Sequence, residues 1–166
     1  MVFHKKSQAF YIDLFLGTTI FLIGLTLLMK TSLNLDASEE ELYNRIKMEG
    51  SLLSNMLLSE GYPNDWNRTT VRQIGILSGN QIDEDKVEEL KALDYANTKN
   101  LFRTGFDYYF FLYNGTDNIS ISGVSGIGHN QAQPFDPPDT ANNIFRINRF
   151  TIYDDSIVNL VILIWD

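Results

Sequence analysis

The sequence predicts an α+β chain: a long N-terminal helix, then a small globular domain with short helices and an antiparallel sheet of about four strands. Two observations predict this class. Residues 10–29 form an apolar run that holds a single charge, Asp13. Helical patterns then dominate as far as residue 102, whereas aromatic-rich and alternating segments fill the remainder. The length of 166 residues suits one compact domain with an appendage.

The apolar run is long enough to cross a membrane, because about 20 apolar residues in a helix span roughly 30 Å of hydrocarbon. A core helix of that length would carry a polar stripe, and this run has none. A cleaved signal peptide has an apolar region of roughly 7–15 residues and a small-residue cleavage site. The run is longer and ends in Leu28-Met29-Lys30. We therefore predict a retained transmembrane helix over residues 8–30.

The charges at the two ends of this helix indicate its orientation. His4, Lys5 and Lys6 precede it, which favours a cytoplasmic N-terminus and an exterior domain over residues 31–166. That domain has 10 Lys+Arg and 20 Asp+Glu, a net charge of −10. Such a surface repels phosphate backbones, so we expect no nucleic-acid partner. The absence of cysteine excludes disulfides, thiol catalysis and Cys-ligated zinc.

Three N-x-[ST] sequons lie on the predicted outer side. They begin at Asn67, Asn114 and Asn118. Each is a weak signal alone, but all three agree with the predicted orientation. We treat them as candidate glycosylation sites.

Residues 31–58 are predicted to extend the helix. Residues 37–58 contain no proline, and Leu42, Ile46, Leu53 and Leu57 recur at helical spacing. A capping-box-like Ser38 indicates a break near residues 34–36, with one uninterrupted helix as the alternative. In both cases the apolar stripe is expected to pack against the sheet of its own domain.

The next segments are turns and short helices. Gly61 and Pro63 end the long helix, Trp66 is expected to be buried, and residues 69–77 fit either a short helix or a short strand. Two short helices and one further turn complete this region: a turn at Gly79-Asn80, a helix over residues 83–93 that begins with acidic residues, and a helix over residues 94–102.

The second half of the chain is predicted to be β. Residues 106–113 are aromatic-rich and end at the turn signal Asn114-Gly115, after which residues 119–124 form the returning strand. Residues 123–140 are predicted to form a long loop. Residues 144–153 alternate as a half-buried strand, and residues 157–165 form a more fully buried one.

The sequence gives no support for catalysis. His4 and His129 are the only histidines, which argues against a multi-histidine metal site or a His-dependent triad. The acidic residues 83–85 could begin a calcium loop, but Glu88 occupies the position where an EF-hand needs glycine. We therefore predict no enzyme, no cofactor and no metal site.

The leader before the apolar run has a distinctive composition. Lys5 and Lys6 precede Ser7 and Gln8, and Asp13 stands near the start of the apolar helix. This order resembles the prepilin signal of type IV pilins in its archaeal form. The stretch SQAFYIDL is similar to the GQAFSLDL style of N-terminus in archaeal pilin-like proteins. The resemblance covers residues 5–30 and, more loosely, residues 61–112.

The resemblance implies a processing event. Residues 1–7 would be a leader removed by a prepilin-type aspartyl peptidase on the cytoplasmic side. Residues 8–30 would then be a transmembrane helix that later enters a filament core, and residues 31–166 an extracellular head. A cut between Ser7 and Gln8 makes Asp13 the sixth residue of the processed chain. A cut after Gln8 makes it the fifth, the usual place of the acid in pilins, and both sites stay open.

The resemblance also assigns a role to Asp13. A carboxylate at the bilayer centre costs about 2.5–3.5 kcal/mol on insertion scales, and less near the interface. In a filament, the new N-terminal ammonium of a neighbouring subunit could pair with Asp13 and fix the axial register. The alternative is that Asp13 reaches the lipid headgroups or serves the helix start.

The leading expectation is a pilin-like structural subunit of an archaeal surface filament, acting in assembly and adhesion. Its expected partners are the membrane, the prepilin-type peptidase and other copies of itself or other pilins. Its expected location is the cell membrane, with the N-terminus inside, and then the cell surface. Two alternatives stay open: an unprocessed membrane-anchored extracellular binding or envelope protein, and a pseudopilin-like accessory of a secretion or DNA-uptake machine.

Overall fold

A computed structural model describes the backbone of residues 3–166 and the side chains of residues 11–31 and 39–166. The chain divides into two compact units, Met1–Leu42 and Tyr43–Asp166. The first helix, α1, covers Phe3–Leu57 and therefore contributes to both units. It is uninterrupted at residues 34–36, so the alternative of one continuous helix is correct.

The first unit contains the predicted apolar helix. The segment Tyr11–Thr31 has a mean hydropathy of 2.1, and none of it is buried. By length and composition it could cross a membrane, which confirms the predicted apolar helix at this level. Its threonine hydroxyls form hydrogen bonds within the helix: those of Thr18 and Thr26 donate to the carbonyls of Leu14 and Leu22 at 2.8 and 2.7 Å. Such back-bonding lets a threonine lie in an apolar environment.

The second unit, here called the head, combines the end of α1 with two short helices and one sheet. The short helices are α2 (Glu84–Lys91) and α3 (Tyr95–Phe102). The strands are β1 (Leu77–Ser78), β2 (Gln81–Ile82), β3 (Asp107–Tyr113), β4 (Asn118–Ile119), β5 (Ile127–Gly128), β6 (Phe145–Tyr153) and β7 (Ser156–Trp165). The sheet order is β1-β2-β6-β7-β3-β4, and β5 also pairs with β3.

The α+β class is confirmed, but the expected sheet of about four antiparallel strands is wrong. The sheet has seven strands and is mixed, because β2 runs parallel to β6 through the pair Gln81 and Ile152. The strands that were missed, β1, β2 and β5, are two residues long. A pattern of alternation cannot be detected over two residues. The parallel partner of β2, strand β6, also lies far away in sequence.

The region between α1 and α2 also differs from the prediction. Residues 69–76 form neither a helix nor a strand, but turns and an isolated bridge between Tyr62 and Gln73. Trp66 is buried, as predicted, and its indole Nε1 donates to the Gly75 carbonyl at 2.8 Å. Backbone pairing to a loop, rather than a repeating pattern, therefore orders this region.

Both predicted short helices are confirmed, and each has a carboxylate at its N-cap. Asp83 accepts a hydrogen bond from the Lys86 amide, and Asp94 accepts from the amides of Ala96 and Asn97. These bonds satisfy donors that a helix start leaves free. Aspartates also form the turn between β6 and β7, where Asp154 and Asp155 both have positive φ.

The inner face of the sheet packs against the helices. The α1 side chains Ile46, Leu53 and Leu57 are fully buried, as their spacing predicts. Gly50 allows α1 to approach the sheet closely, since a Cβ there would lie 2.7 Å from Ile147 Cδ1 and 3.0 Å from Ile164 Cγ2. The head therefore has its own core between α1 and the sheet.

The outer face of the sheet is only partly covered. A buried cluster forms under the segment that follows β5; its members are Tyr109, Phe111, Ala132, Val161, Leu163 and Trp165. At the opposite end of β6 and β7 the same face is open, and Phe150 and Ile157 are 77% and 75% exposed. The predicted loop over residues 123–140 thus contains β5 and contributes Ala132 to this buried cluster.

Candidate functional site

The predicted processing residues lie outside the part of the chain whose side chains are described. These residues are Lys5, Lys6, Ser7 and Gln8. Asp13 is described and is exposed. It is the third residue of the apolar segment Tyr11–Thr31, about 3 Å along the helix axis from its start. This position near the end keeps the carboxylate away from the centre of the apolar segment.

The three sequons differ in the availability of the acceptor nitrogen. Asn67 and Asn114 are exposed, and their Oδ1 atoms accept local backbone amides at 2.9 Å from Thr69 and Thr116. Asn118 is half-buried, and its Nδ2 donates to the Ser125 carbonyl at 3.0 Å. In N-glycosylation the asparagine Nδ2 forms the bond to the glycan. The side chains of Asn67 and Asn114 are therefore accessible for this reaction in the folded head, whereas the hydrogen bond of Asn118 Nδ2 restrains that side chain.

A polar network lies at one end of the sheet. The Asp107 carboxylate accepts hydrogen bonds from Lys99 Nζ at 2.7 Å and from the Tyr95 hydroxyl at 3.0 Å. Tyr95 in turn accepts from the Tyr108 amide at 3.1 Å, and the His129 ring packs edge-on against the Tyr95 ring. Burial raises the pKa of the Tyr95 hydroxyl, so it stays protonated as a donor. The network joins α3 to β3 and is explained by that structural task.

Asp107 is expected to make head stability depend on acid pH. Desolvation alone raises the pKa of the Asp107 carboxyl, but the hydrogen bonds from Lys99 and Tyr95 outweigh it and hold that pKa below its usual value of 3.8. A group with a depressed folded pKa stabilises the fold above the unfolded pKa, and that stabilisation is lost as pH falls through the folded value. Wild type should therefore be more stable than Asp107→Asn at pH 6, and the difference should shrink below pH 3.8.

Urea unfolding of the full chain in detergent, followed from pH 6 to pH 2, measures this difference. Asp117→Asn is the matched control, because Asp117 is exposed and its side chain has no hydrogen-bond partner in the described residues. A difference between wild type and Asp107→Asn that stays constant across this range would contradict the assignment.

Lys86 was not singled out by the sequence. It is a buried lysine whose Nζ donates to the carbonyls of Glu60 and Leu77 at 2.8 and 2.7 Å. These bonds attach α2 to the segment that follows α1 and to β1. Among the described residues no carboxylate lies within 4 Å of it, and it serves as a structural clamp.

A groove on the helical side of the head was also missed. It has a volume of about 320 Å³ and lies between the end of α1 and the end of α3. Leu52, Met56 and Leu101 form its apolar wall, and Arg72 and Arg103 also line it. Arg103 also ends α3 in the left-handed conformation, with φ of 55°. The signal in the sequence was weak, because these residues come from three separate segments.

The described side chains include no group of three or more His, Cys, Asp or Glu that could hold a metal ion. The acidic residues considered above as a calcium loop lie at the start of α2: Asp83 is its N-cap, and Glu84 and Asp85 are in its first turn.

Comparisons with protein families, with curated proteins and with solved structures found no match.

Proposed function

We propose that this chain is a pilin-like structural subunit of an archaeal surface filament, active in assembly and adhesion and without catalysis. The observation that carries the proposal is the segment Tyr11–Thr31, which is apolar on all sides, exposed throughout, and interrupted near its start by Asp13. Such a segment requires lipid or other apolar helices around it. A filament core of bundled helices provides that environment outside the membrane.

Three further features support the proposal. The head has a core of its own that includes the last turns of α1. The exterior part of the sequence is acidic, with 10 basic and 20 acidic residues after Lys30. The predicted leader, with Lys5, Lys6, Ser7 and Gln8, precedes the apolar helix at the position where a prepilin-type peptidase would cut.

A second candidate is a membrane-anchored extracellular binding protein that is never processed. The length and composition of Tyr11–Thr31 suit a permanent anchor equally well. A pseudopilin-like accessory role is the third candidate, and it shares the processing step with the first. The fate of the leader therefore separates the second candidate from the other two.

N-terminal mass spectrometry of the protein from the surface of its host tests the proposal. We expect a chain that begins at Gln8 or Ala9, because a prepilin-type peptidase removes the basic leader and leaves the apolar helix. The unprocessed precursor in the membrane fraction is the internal control and should begin at or near Met1. Surface material that retains Met1-Val2-Phe3, or that begins after Lys30, would contradict the proposal.

A further inference from the structure

Two surfaces on the head have complementary chemistry. The first, here called the hairpin strip, consists of Phe150, Ile157 and the turn residues Asp154 and Asp155. Phe150 and Ile157 are the most exposed large apolar side chains of the head, at 77% and 75%. The register pairs Phe150 with Asn159 and Ile152 with Ile157, so both apolar side chains lie on the outer face of the sheet. The strip combines an apolar patch with two negative charges.

The second surface is the groove between α1 and α3. Arg72 and Arg103 line it, and neither forms an ion pair with a carboxylate of the described residues. This is unusual in a domain with twice as many acidic as basic residues. The groove also contains Glu49, whose carboxylate pairs with Arg45 at 3.7 Å and accepts hydrogen bonds from the Thr104 hydroxyl at 2.9 Å and the Gly105 amide at 3.1 Å. The groove lining therefore combines apolar side chains with two arginines that form no ion pair with the described carboxylates.

The hairpin strip and the groove cannot meet within one head. The groove is built from α1 and α3, which pack on the inner face of the sheet through Gly50 and Phe102. The strip lies on the outer face. Two different surfaces that complement each other on opposite sides of one molecule form a head-to-tail contact, and such contacts generate rings or open helical filaments.

We propose that the hairpin strip of one copy docks into the groove of the next copy, so that Asp154 and Asp155 meet Arg72 and Arg103. Phe150 and Ile157 cover the apolar wall formed by Leu52, Met56 and Leu101. This inference rests on the proposed filament function and names the contact between neighbouring heads. The apolar contact supplies affinity, and the opposite charges set the orientation of the two copies.

The contact is too small to hold two heads together in solution. A stable interface buries about 800 Å² on each partner, and two exposed side chains with one turn provide far less. Copies that are already held by their apolar helices meet at a high effective concentration. We therefore expect the contact to form in filaments and to be absent from detergent-dispersed monomers.

Disulfide crosslinking tests the contact cleanly, because the chain has no cysteine. Gln73→Cys places a thiol in the groove and Ser156→Cys places one beside the turn, and both sites are exposed. Oxidised filaments of the full-chain double variant should give a ladder of covalent oligomers, since each copy carries one thiol on each surface. The same protein dispersed in detergent should stay monomeric.

Two controls make the result specific. Ser156→Cys combined with Thr116→Cys, at the exposed turn after β3, should crosslink at least about tenfold more slowly because these sites do not meet. Adding Arg72→Glu and Arg103→Glu to the first pair should remove the ladder. The ladder with these controls supports the contact. Filaments without a ladder, or with an equal ladder from the control pair, overturn it and leave the filament function standing.

A second variant covers the case in which the cysteine pair prevents assembly. Phe150→Ser with Ile157→Ser changes only exposed side chains, so the head should keep its helix content by circular dichroism. Filaments of this variant should dissociate at a lower temperature than wild type. An unchanged dissociation temperature overturns the contact, and a wild-type chain that forms no filaments at all overturns the proposed function as well.

Discussion

Asp13→Ala should abolish or severely disturb filament assembly while it leaves the head folded. Under the proposed function, Asp13 accepts the new N-terminal ammonium of a neighbouring subunit. Removal of the carboxylate leaves that ammonium unpaired among apolar helices, and breaking one side of a buried ion pair costs about 3–5 kcal/mol. Because the contact recurs at every subunit, the loss should reach at least about 100-fold in filament yield. Electron microscopy of the host surface and the ratio of surface to membrane protein measure it.

The control for this experiment lies in the same helix. Thr18→Ala removes a hydroxyl that donates to the carbonyl of Leu14 in its own helix, at 2.8 Å, so assembly should be preserved. Urea unfolding of Asp13→Ala in detergent should match wild type, because Asp13 is exposed in the first unit and the head core lies in the second. Normal filaments from Asp13→Ala would instead favour a role at the helix start or at the headgroups, and with it the permanent anchor.

Gly75→Ala should strongly destabilise the head. Gly75 is buried, and a Cβ there would collide with the backbone of Gly61 and Ser59 as well as the Ser59 side chain. Backbone atoms cannot move aside as a flexible side chain can. The Gly75 carbonyl also holds the Trp66 indole. We expect a loss of about 3 kcal/mol in the free energy of unfolding, at the upper end of overpacking effects.

Urea unfolding of the full chain in detergent, followed by tryptophan fluorescence, measures this loss because Trp66 lies at the site. Gly105→Ala is the matched control: it adds the same methyl group, and no atom lies within 4 Å of its Cβ position. The control should change stability by less than about 1 kcal/mol. Equal stability of the two variants would show that the segment after α1 can shift to make room for the methyl group, and would contradict the prediction.

Several features were predictable because they depend on residues close together in sequence. The apolar helix follows from one run with a single charge, and α2 and α3 follow from Asp83 and Asp94 ahead of helical patterns. The long strand β6 follows from its mixture of apolar and polar residues, β7 follows from its nearly continuous apolar run, and the turn at Asp154 separates them. The predicted processing residues and the proposed role of Asp13 rest instead on the resemblance of the N-terminal stretch to archaeal pilin-like proteins.

The tertiary structure alone decided how β6 presents its side chains. Apolar residues alternate through Phe145 and Ile147, but the alternation slips by one position before Phe150. The pairing of β6 with β7 continues without a bulge, so Arg149 points inward and bonds to Ser54 and Asn55 of α1, while Phe150 points outward. The local sequence does not show whether the set that includes Phe145 and Ile147 or the set that includes Phe150 faces the core. Packing against α1 fixes that choice.

By itself, then, the sequence determined an apolar helix with one carboxylate near its start, two capped helices and the longest strands, because propensity, capping and periodicity act over a few residues. Only the tertiary structure decided the mixed sheet of seven strands, the outward Phe150 and the unpaired arginines of the groove. These features depend on two-residue strands and on side chains from distant segments. Their positions follow from burial of the shared core and from satisfaction of backbone hydrogen bonds across the whole head.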